Sequence, residues 1–153
     1  MKSQIEDLRK KIYEIQESGS IASLYVIEQE VSETQDDALL GGFYANILEL
    51  AMERLTQALE APRKLDMNEV EDFATLRALY EYALEHYDAS SLDDASALFE
   101  ILAGLSDDDK FSDAMQRHNK AIKSKINLDT FLEKVADVAL TEHNGTFYIS
   151  EFK

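Results

Sequence analysis

The sequence has no cysteine, only one proline and only five glycines among its 153 residues. Without cysteine, disulfide bonds, thiolate nucleophiles and cysteine-ligated zinc sites are all excluded. A lack of cysteine fits a reducing compartment, and we therefore expect a cytoplasmic protein. The scarcity of proline and glycine, which interrupt helices, favours helices joined by short connections.

Long apolar runs are also missing. No apolar segment follows the charged N-terminal residues, as a secretory signal peptide would require. No stretch approaches the roughly 18 uncharged apolar residues that span a bilayer. Apolar residues still make up 45% of the chain. That fraction is enough to build a core, so we expect one helical domain over residues 1–153 and no membrane association.

Basic residues are scarce, since 15 Lys and Arg stand against 31 Asp and Glu, for a formal net charge of −16. The imbalance is greatest in residues 67–109, where Arg77 is the single basic residue. A field of this sign repels nucleic acid and anionic lipid and attracts basic protein surfaces. We therefore expect a protein partner with a basic surface, and no direct contact with nucleic acid.

Apolar residues recur at helical spacing through most of the chain. The pattern predicts an all-α, single-domain bundle of about seven helices. The third helix has the longest apolar stripe, so we expect it at the centre of the bundle. Pro62 is predicted to end this helix, and Asn127 to cap the last one. The predicted helices cover residues 3–17, 21–33, 36–61, 67–88, 92–104, 107–125 and 128–142.

Capping-box signals precede several of these helices. Each has a Ser, Thr or Asp followed by an acidic residue three positions later, and the first residues of these signals are Ser3, Thr34, Asp66, Ser91 and Ser106. The cap oxygen would accept a bond from a free backbone N–H, and the acid would favour the positive end of the helix. Many acidic residues therefore have a predicted structural role, which argues against a catalytic one.

The C-terminal segment, residues 143–153, differs from the rest and is predicted to be an extended tail. It opens with a turn signal, and residues 146–150 are β-prone. A single strand is not stable alone. The tail is therefore expected either to pack on the bundle through Phe147, Ile149 or Phe152, or to pair with another chain in a homo-oligomer.

No pattern indicates a catalytic site, a metal or a cofactor. The three histidines, His86, His118 and His143, do not pair at the spacing of a zinc or di-iron site. The acidic run 107–109 lacks the spacing of a calcium-binding loop and is better explained as a helix N-terminus. His118 falls on the apolar side of its predicted helix. We interpret it as a packing histidine, with a pH-sensitive contact as the alternative.

The strongest candidate for binding is a group of acidic side chains on the helices predicted over 67–88 and 92–104. If the outer faces of this hairpin are exposed, the group forms a negative docking surface. The alternative is a solvated face that only keeps the protein in solution. The candidate partner-binding residues are Glu69, Asp72, Glu81, Glu85, Asp88, Asp93 and Asp94, with Glu100 beside them.

A second charged group lies in the helix predicted over 107–125, where Arg117, Lys120, Lys123 and Lys125 are basic. We expect this group to neutralise the acidic one within the molecule rather than to contact nucleic acid, because the net negative field opposes such contact.

These features predict a non-enzymatic, acidic protein-binding factor, such as an adaptor, a chaperone-like protein or an inhibitor. In its sharper form, the protein mimics nucleic acid and blocks the basic groove of a nucleic-acid-binding protein. Two other classes stay open: a self-assembling structural component, and an enzyme with an unrecognised all-α site.

Overall fold

The structure, a computed structural model, describes residues 2–61 and 63–153, with side chains from residue 4 onward. It is 77% helical, and its described residues contain no β-strand, which confirms the all-α prediction. The side chain of Ser3, which was predicted to cap the first helix, and Pro62, which was predicted to end the third, lie outside what is described. The elements are α1 Lys2–Ser18, α2 Ile21–Val26, α3 Glu28–Glu33, α4 Asp37–Glu60, α5 Val70–Asp88, α6 Leu92–Leu105, α7 Asp109–Lys123, α8 Leu128–Thr130, a π-helical turn Phe131–Val135 and α9 Val138–Asn144.

The central helix of the bundle is α5. It contacts α2 and α4, which precede it, and α6 and α8, which follow it. Leu76, Tyr80 and Tyr87 of α5 are at most 1% exposed, and they belong to one continuous apolar cluster that runs from Leu8 to Tyr148. Because both halves of the chain pack on α5, this helix joins them.

The prediction that the third helix, now α4, lies at the centre is wrong. One face of α4 is buried from Leu39 to Ala58. Two residues of the predicted apolar stripe, Tyr44 and Leu59, are nevertheless 43% and 58% exposed. The high apolar content of α4 predicted its burial. The more enclosed helix is α5, because helices from both halves of the chain pack against it.

Two predicted helices are broken in the structure. The helix expected over 21–33 divides at Ile27, a buried residue that turns the chain between α2 and α3. The helix expected over 128–142 is interrupted at Ala136, which adopts an extended conformation and forms an isolated antiparallel bridge with Phe152. This second break is caused by the C-terminal tail, because the tail supplies the hydrogen bonds that replace those of a continuous helix.

Three of the predicted caps lie two or three residues before the N-caps of the structure. In Thr34, Asp66 and Ser106 the side-chain oxygen accepts the backbone N–H two residues later, at 3.2, 2.9 and 3.0 Å. Such bonds form turns rather than helix caps. The acids Asp36 and Asp108, which follow two of these residues, are the true caps of α4 and α7.

The other two predicted caps, Asn127 and Ser91, both occupy N-cap positions, but only one of them makes a capping hydrogen bond. Asn127 caps α8 as expected, accepting the backbone N–H of Thr130 at 2.8 Å. Ser91 occupies the N-cap position of α6, but its side chain makes no capping bond.

The tail packs on its own bundle, which was one of the two expected arrangements. The ring of Phe147 lies 5.0 Å from that of Phe73 and 5.8 Å from that of Phe111. The Ile149 N–H donates to the Tyr80 hydroxyl at 3.0 Å. The tail therefore closes the core between α5 and α7.

We expect Ile47→Asp to unfold the protein or to lower its free energy of unfolding by more than about 3 kcal/mol, because the new carboxylate would be buried without a partner. Ile47 is 3% exposed on the inner face of α4. Gln57→Asp, on the exposed face of the same helix, is the matched control. Thermal unfolding followed by circular dichroism compares them, and similar melting temperatures would contradict the assigned core.

Candidate protein-binding face

One face of α5 is exposed at both ends of the helix and half-buried at Arg77 in the middle. Its residues are spaced three or four apart, so they lie on one side. The first part is apolar and the last part is acidic, with one arginine between them. We call this face the α5 stripe, and it consists of Val70, Phe73, Arg77, Glu81, Glu85 and Asp88.

The apolar part of the α5 stripe borders an open groove of about 410 Å³ against α2. Val26, at the end of α2, is 81% exposed, and Val70 is 67% exposed. Phe73 is 41% exposed, while its other side is held by the ring of Phe147. Clustered large apolar side chains of this kind are typical of interaction surfaces. We call these residues, together with the adjoining Met67, the apolar groove.

A second cleft, of about 380 Å³, opens farther along α5, where the stripe is acidic. We call it the acidic cleft, and its polar lining includes Tyr25, Glu28, Tyr44, Glu81 and Glu85. The Tyr25 hydroxyl donates to Glu81 at 2.7 Å, and the Tyr44 hydroxyl donates to Glu28 at 2.7 Å. The first bond connects α2 with α5 and the second connects α4 with α3, so both hold the cleft walls in place.

Tyr25 and Tyr44, which line the cleft, are held in their protonated form. Burial and the adjacent Glu28 raise the pKa of Tyr44 to about 12. Burial, with the charge of Glu81, also raises the pKa of Tyr25. Each hydroxyl therefore remains a hydrogen-bond donor at neutral pH, and the carboxylate that it contacts stays the acceptor.

Arg77 separates the apolar groove from the acidic cleft. Its guanidinium lies 3.2 Å from Glu28 and 3.4 Å from Glu81, and it stacks 3.8 Å from the centre of the Tyr25 ring. Two carboxylates thus compensate one positive charge. The carboxylate of Glu85 has no hydrogen-bond or ion-pair partner in the described part of the chain, so the cleft keeps an excess of negative charge.

The predicted acidic surface is only partly assembled. Glu81 and Glu85 meet in the acidic cleft, and Asp88 follows on the same stripe. Asp93 and Asp94 are exposed in the first turn of α6. Glu69 occupies the N-cap position at the opposite end of α5, about 28 Å from Asp88 along the helix axis.

The prediction that Asp72 takes part in docking is wrong, because its side chain is buried, with 2% exposure. Asp72 accepts the Asp66 N–H at 2.9 Å and forms ion pairs with Arg63 at 3.5 Å and Arg54 at 4.0 Å. It stabilises the connection between α4 and α5. Its position two residues after Val70 puts it on the other side of the helix from the stripe, which helical spacing alone could have indicated.

Glu100, expected beside the acidic group, belongs to a different surface. It is exposed on α6 and lines a hollow together with Arg63 and Lys64. Those two basic residues give this end of the bundle a mixed charge, so Glu100 does not extend the acidic cleft.

The expectation that the basic residues of α7 neutralise the acidic group is wrong. Arg117 pairs with Asp113 of its own helix at 3.2 Å and lies 4.9 Å from the Phe152 ring. Lys120 and Lys123 are exposed. In residues 4–61 and 63–153, no ion pair joins α7 to an acid of α5 or α6, so the two charged surfaces remain separate.

His118 is fully buried, as its place on the apolar side of α7 indicated, and its ring is held at both nitrogens. Nδ1 of His118 lies 2.6 Å from the Ala114 carbonyl oxygen. Because a carbonyl oxygen can only accept a hydrogen bond, Nδ1 carries the proton. Nε2 therefore accepts from the Tyr80 hydroxyl at 2.9 Å. Burial lowers the pKa of His118 from its usual 6.5 to about 4.

This lowered pKa makes folding less favourable in acid. Between pH 6.5 and about 4 the unfolded chain binds a proton at His118 and the folded chain does not. The stability of the protein relative to a His118→Gln variant should therefore fall by roughly 3 kcal/mol as the pH drops through this window, and stay constant above it. Urea unfolding of both proteins at several pH values measures the difference. A difference that does not change with pH would contradict the buried neutral imidazole.

No group of three or more His, Asp or Glu side chains within residues 4–61 and 63–153 is arranged to hold a metal ion. The helices described here are all too short or too polar to cross a bilayer. No protein-family model matches the chain, and no curated protein or solved structure matches it.

Sequence reasoning missed the apolar and aromatic residues that lie beside the acidic side chains of the candidate site. Val26 and Tyr25 of α2 reach the stripe from a distant part of the chain, and no local pattern identifies them. Val70 and Phe73 fit the apolar spacing of their helix, although both are exposed. Their spacing with Arg77 was the available signal, since an apolar stripe that continues into charged residues does not face a core.

Proposed function

We propose that the protein is a non-enzymatic binding factor that docks on a basic surface of another protein through the α5 stripe. The observation that carries this proposal is the acidic end of the stripe, where Glu85 and Asp88 are exposed and have no ion-pair partner in the described residues. Unpaired exposed carboxylates at one helical spacing can meet successive Lys or Arg side chains with little rearrangement.

The walls of the acidic cleft support the proposal. Tyrosine is among the residues most enriched at binding hot spots, and a fixed side chain loses little entropy when a partner docks. Tyr25 and Tyr44 are fixed here by bonds to Glu81 and Glu28, and Tyr25 also stacks on Arg77. The cleft therefore offers rigid aromatic surface next to negative charge.

The overall charge favours the same class of partner. A net charge of −16 attracts a basic protein over a distance and accelerates its association. The basic groove of a nucleic-acid-binding protein is one surface of this class, and there the carboxylates of the stripe would take the place of phosphates. The absence of cysteine is consistent with a reducing, cytoplasmic setting for such a complex.

The rival proposal of self-assembly has less support. It relies in part on the tail as a strand available to another chain, and in part on tyrosines expected to be exposed, such as Tyr13, Tyr25 and Tyr148. In this structure the tail is engaged within its own bundle, through the Ala136–Phe152 bridge and the bond from Ile149 to Tyr80.

The proposal is tested by reversing the unpaired charges in Glu85→Lys/Asp88→Lys. The partner, recovered by affinity capture from the cells that make the protein, should associate at least tenfold more slowly with this variant, because steering depends on the local field. The effect should shrink as salt is added. Surface plasmon resonance at two ionic strengths measures the association rate and its salt dependence. The melting temperature of the variant should change little, since exposed charges contribute little stability.

The matched control is Glu14→Lys/Glu17→Lys. These exposed acids have the same three-residue spacing and lie near the C-terminus of α1. They change the net charge equally without touching the stripe. If both variants lose association equally, only net charge matters and the assigned surface is wrong. If neither variant associates more slowly than the unchanged protein, the acidic end of α5 only keeps the protein in solution.

A further inference from the structure

The apolar groove and the acidic cleft lie on one helix face, and the proposed function uses only the second. Val26 and Val70 expose most of their side chains to solvent, which costs free energy unless a partner covers them. A merely basic surface would leave them uncovered. Because Val26, Val70 and Phe73 line one groove, an occupant of the whole α5 stripe needs an apolar part as well as a basic part.

We infer, on the basis of the proposed function, that the partner presents an amphipathic, cationic α-helix that lies along the α5 stripe. Its apolar side chains fill the groove between Val26, Val70 and Phe73. Its Lys or Arg side chains reach Glu85 and Asp88. The apolar contacts determine which basic proteins bind, and the charges determine how fast they bind.

The α5 stripe follows one helix face, on which a second helix can pack. Its residues recur every three or four positions along α5, a spacing that the ridges of a second helix match. An extended peptide most often binds by adding to a sheet edge, and the described residues form no sheet. Phe73 and Glu85 are separated by about 18 Å along the helix axis, which is three to four turns of a partner helix.

The charge at the middle of the stripe does not oppose such a helix. Arg77 would repel a cationic partner if its charge were free. Its contacts with Glu28 and Glu81, at 3.2 and 3.4 Å, compensate that charge. The guanidinium also stacks on the Tyr25 ring, 3.8 Å from its centre, so it is held in place at the junction between groove and cleft.

The probes are synthetic helical peptides of about 18 residues, long enough to follow α5. The first peptide carries Leu at one end of a face and Lys three turns farther along the same face. A second has the reversed sequence, because a helix can dock in either direction. In the anchor-free versions, Gln replaces Leu and the charge is unchanged. Calorimetric titration of the full chain measures each affinity.

The decisive variant is Val26→Asp/Val70→Asp. It adds negative charge to the stripe, so a purely electrostatic site would bind the cationic peptide equally or more tightly. Our inference expects the opposite, a loss of at least tenfold with the Leu-bearing peptide, because the anchor loses its apolar contacts. Tyr13→Asp/Leu59→Asp changes two other residues that are 63% and 58% exposed, and it should retain the affinity.

The outcomes separate this inference from the proposed function. A Leu-bearing peptide that binds at least tenfold better than its anchor-free version, and loses this advantage in Val26→Asp/Val70→Asp, supports the inference. Equal affinities for the two peptides, each lowered by Glu85→Lys/Asp88→Lys, overturn the inference alone. Affinities that do not respond to Glu85→Lys/Asp88→Lys overturn the proposed function as well. The inference is also overturned if neither the Leu-bearing peptide nor its reversed sequence binds at a peptide concentration of about 1 mM.

Discussion

The burial of α5 is the constraint from which the rest of the structure follows. Leu76, Leu79 and Tyr80 are at most 1% exposed, and they pack against neighbours from both halves of the chain. A helix enclosed in this way can leave only a narrow arc uncovered. On α5 that arc is the stripe, so the same packing that builds the core also decides which side chains a partner can reach.

A short chain of hydrogen bonds fixes this arrangement at its centre. The Ile149 N–H donates to the Tyr80 oxygen, the Tyr80 hydroxyl donates to His118, and His118 donates to the Ala114 carbonyl. Buried polar groups are costly unless they are paired, and every buried side-chain polar atom in the described residues has a partner. The chain therefore ties the tail, α5 and α7 together and keeps Phe147 against Phe73, one wall of the apolar groove.

Helical spacing was sufficient to predict the all-α fold and the buried position of His118, and composition was sufficient to predict the acidic character of α5. It could not predict long-range effects. Ala136 leaves the helix because the tail, sixteen residues later at Phe152, pairs with its backbone. Asp72 was assigned to a docking surface because its charge was counted without considering on which side of the helix its side chain lies. Val26 became part of the candidate site only when the fold brought α2 beside α5, a contact that no local pattern encodes.

The central claim is that one partner covers the whole α5 stripe. It is tested most directly by placing a photo-crosslinking amino acid at one position at a time in the full chain within living cells. Crosslinkers at Val70 and at Asp88, the two ends of the stripe, should capture the same protein. Crosslinkers at Leu59 and Glu17, exposed positions on other helices, should not capture it. Different proteins captured from the two ends, or equal capture from the control positions, would contradict a single continuous binding face.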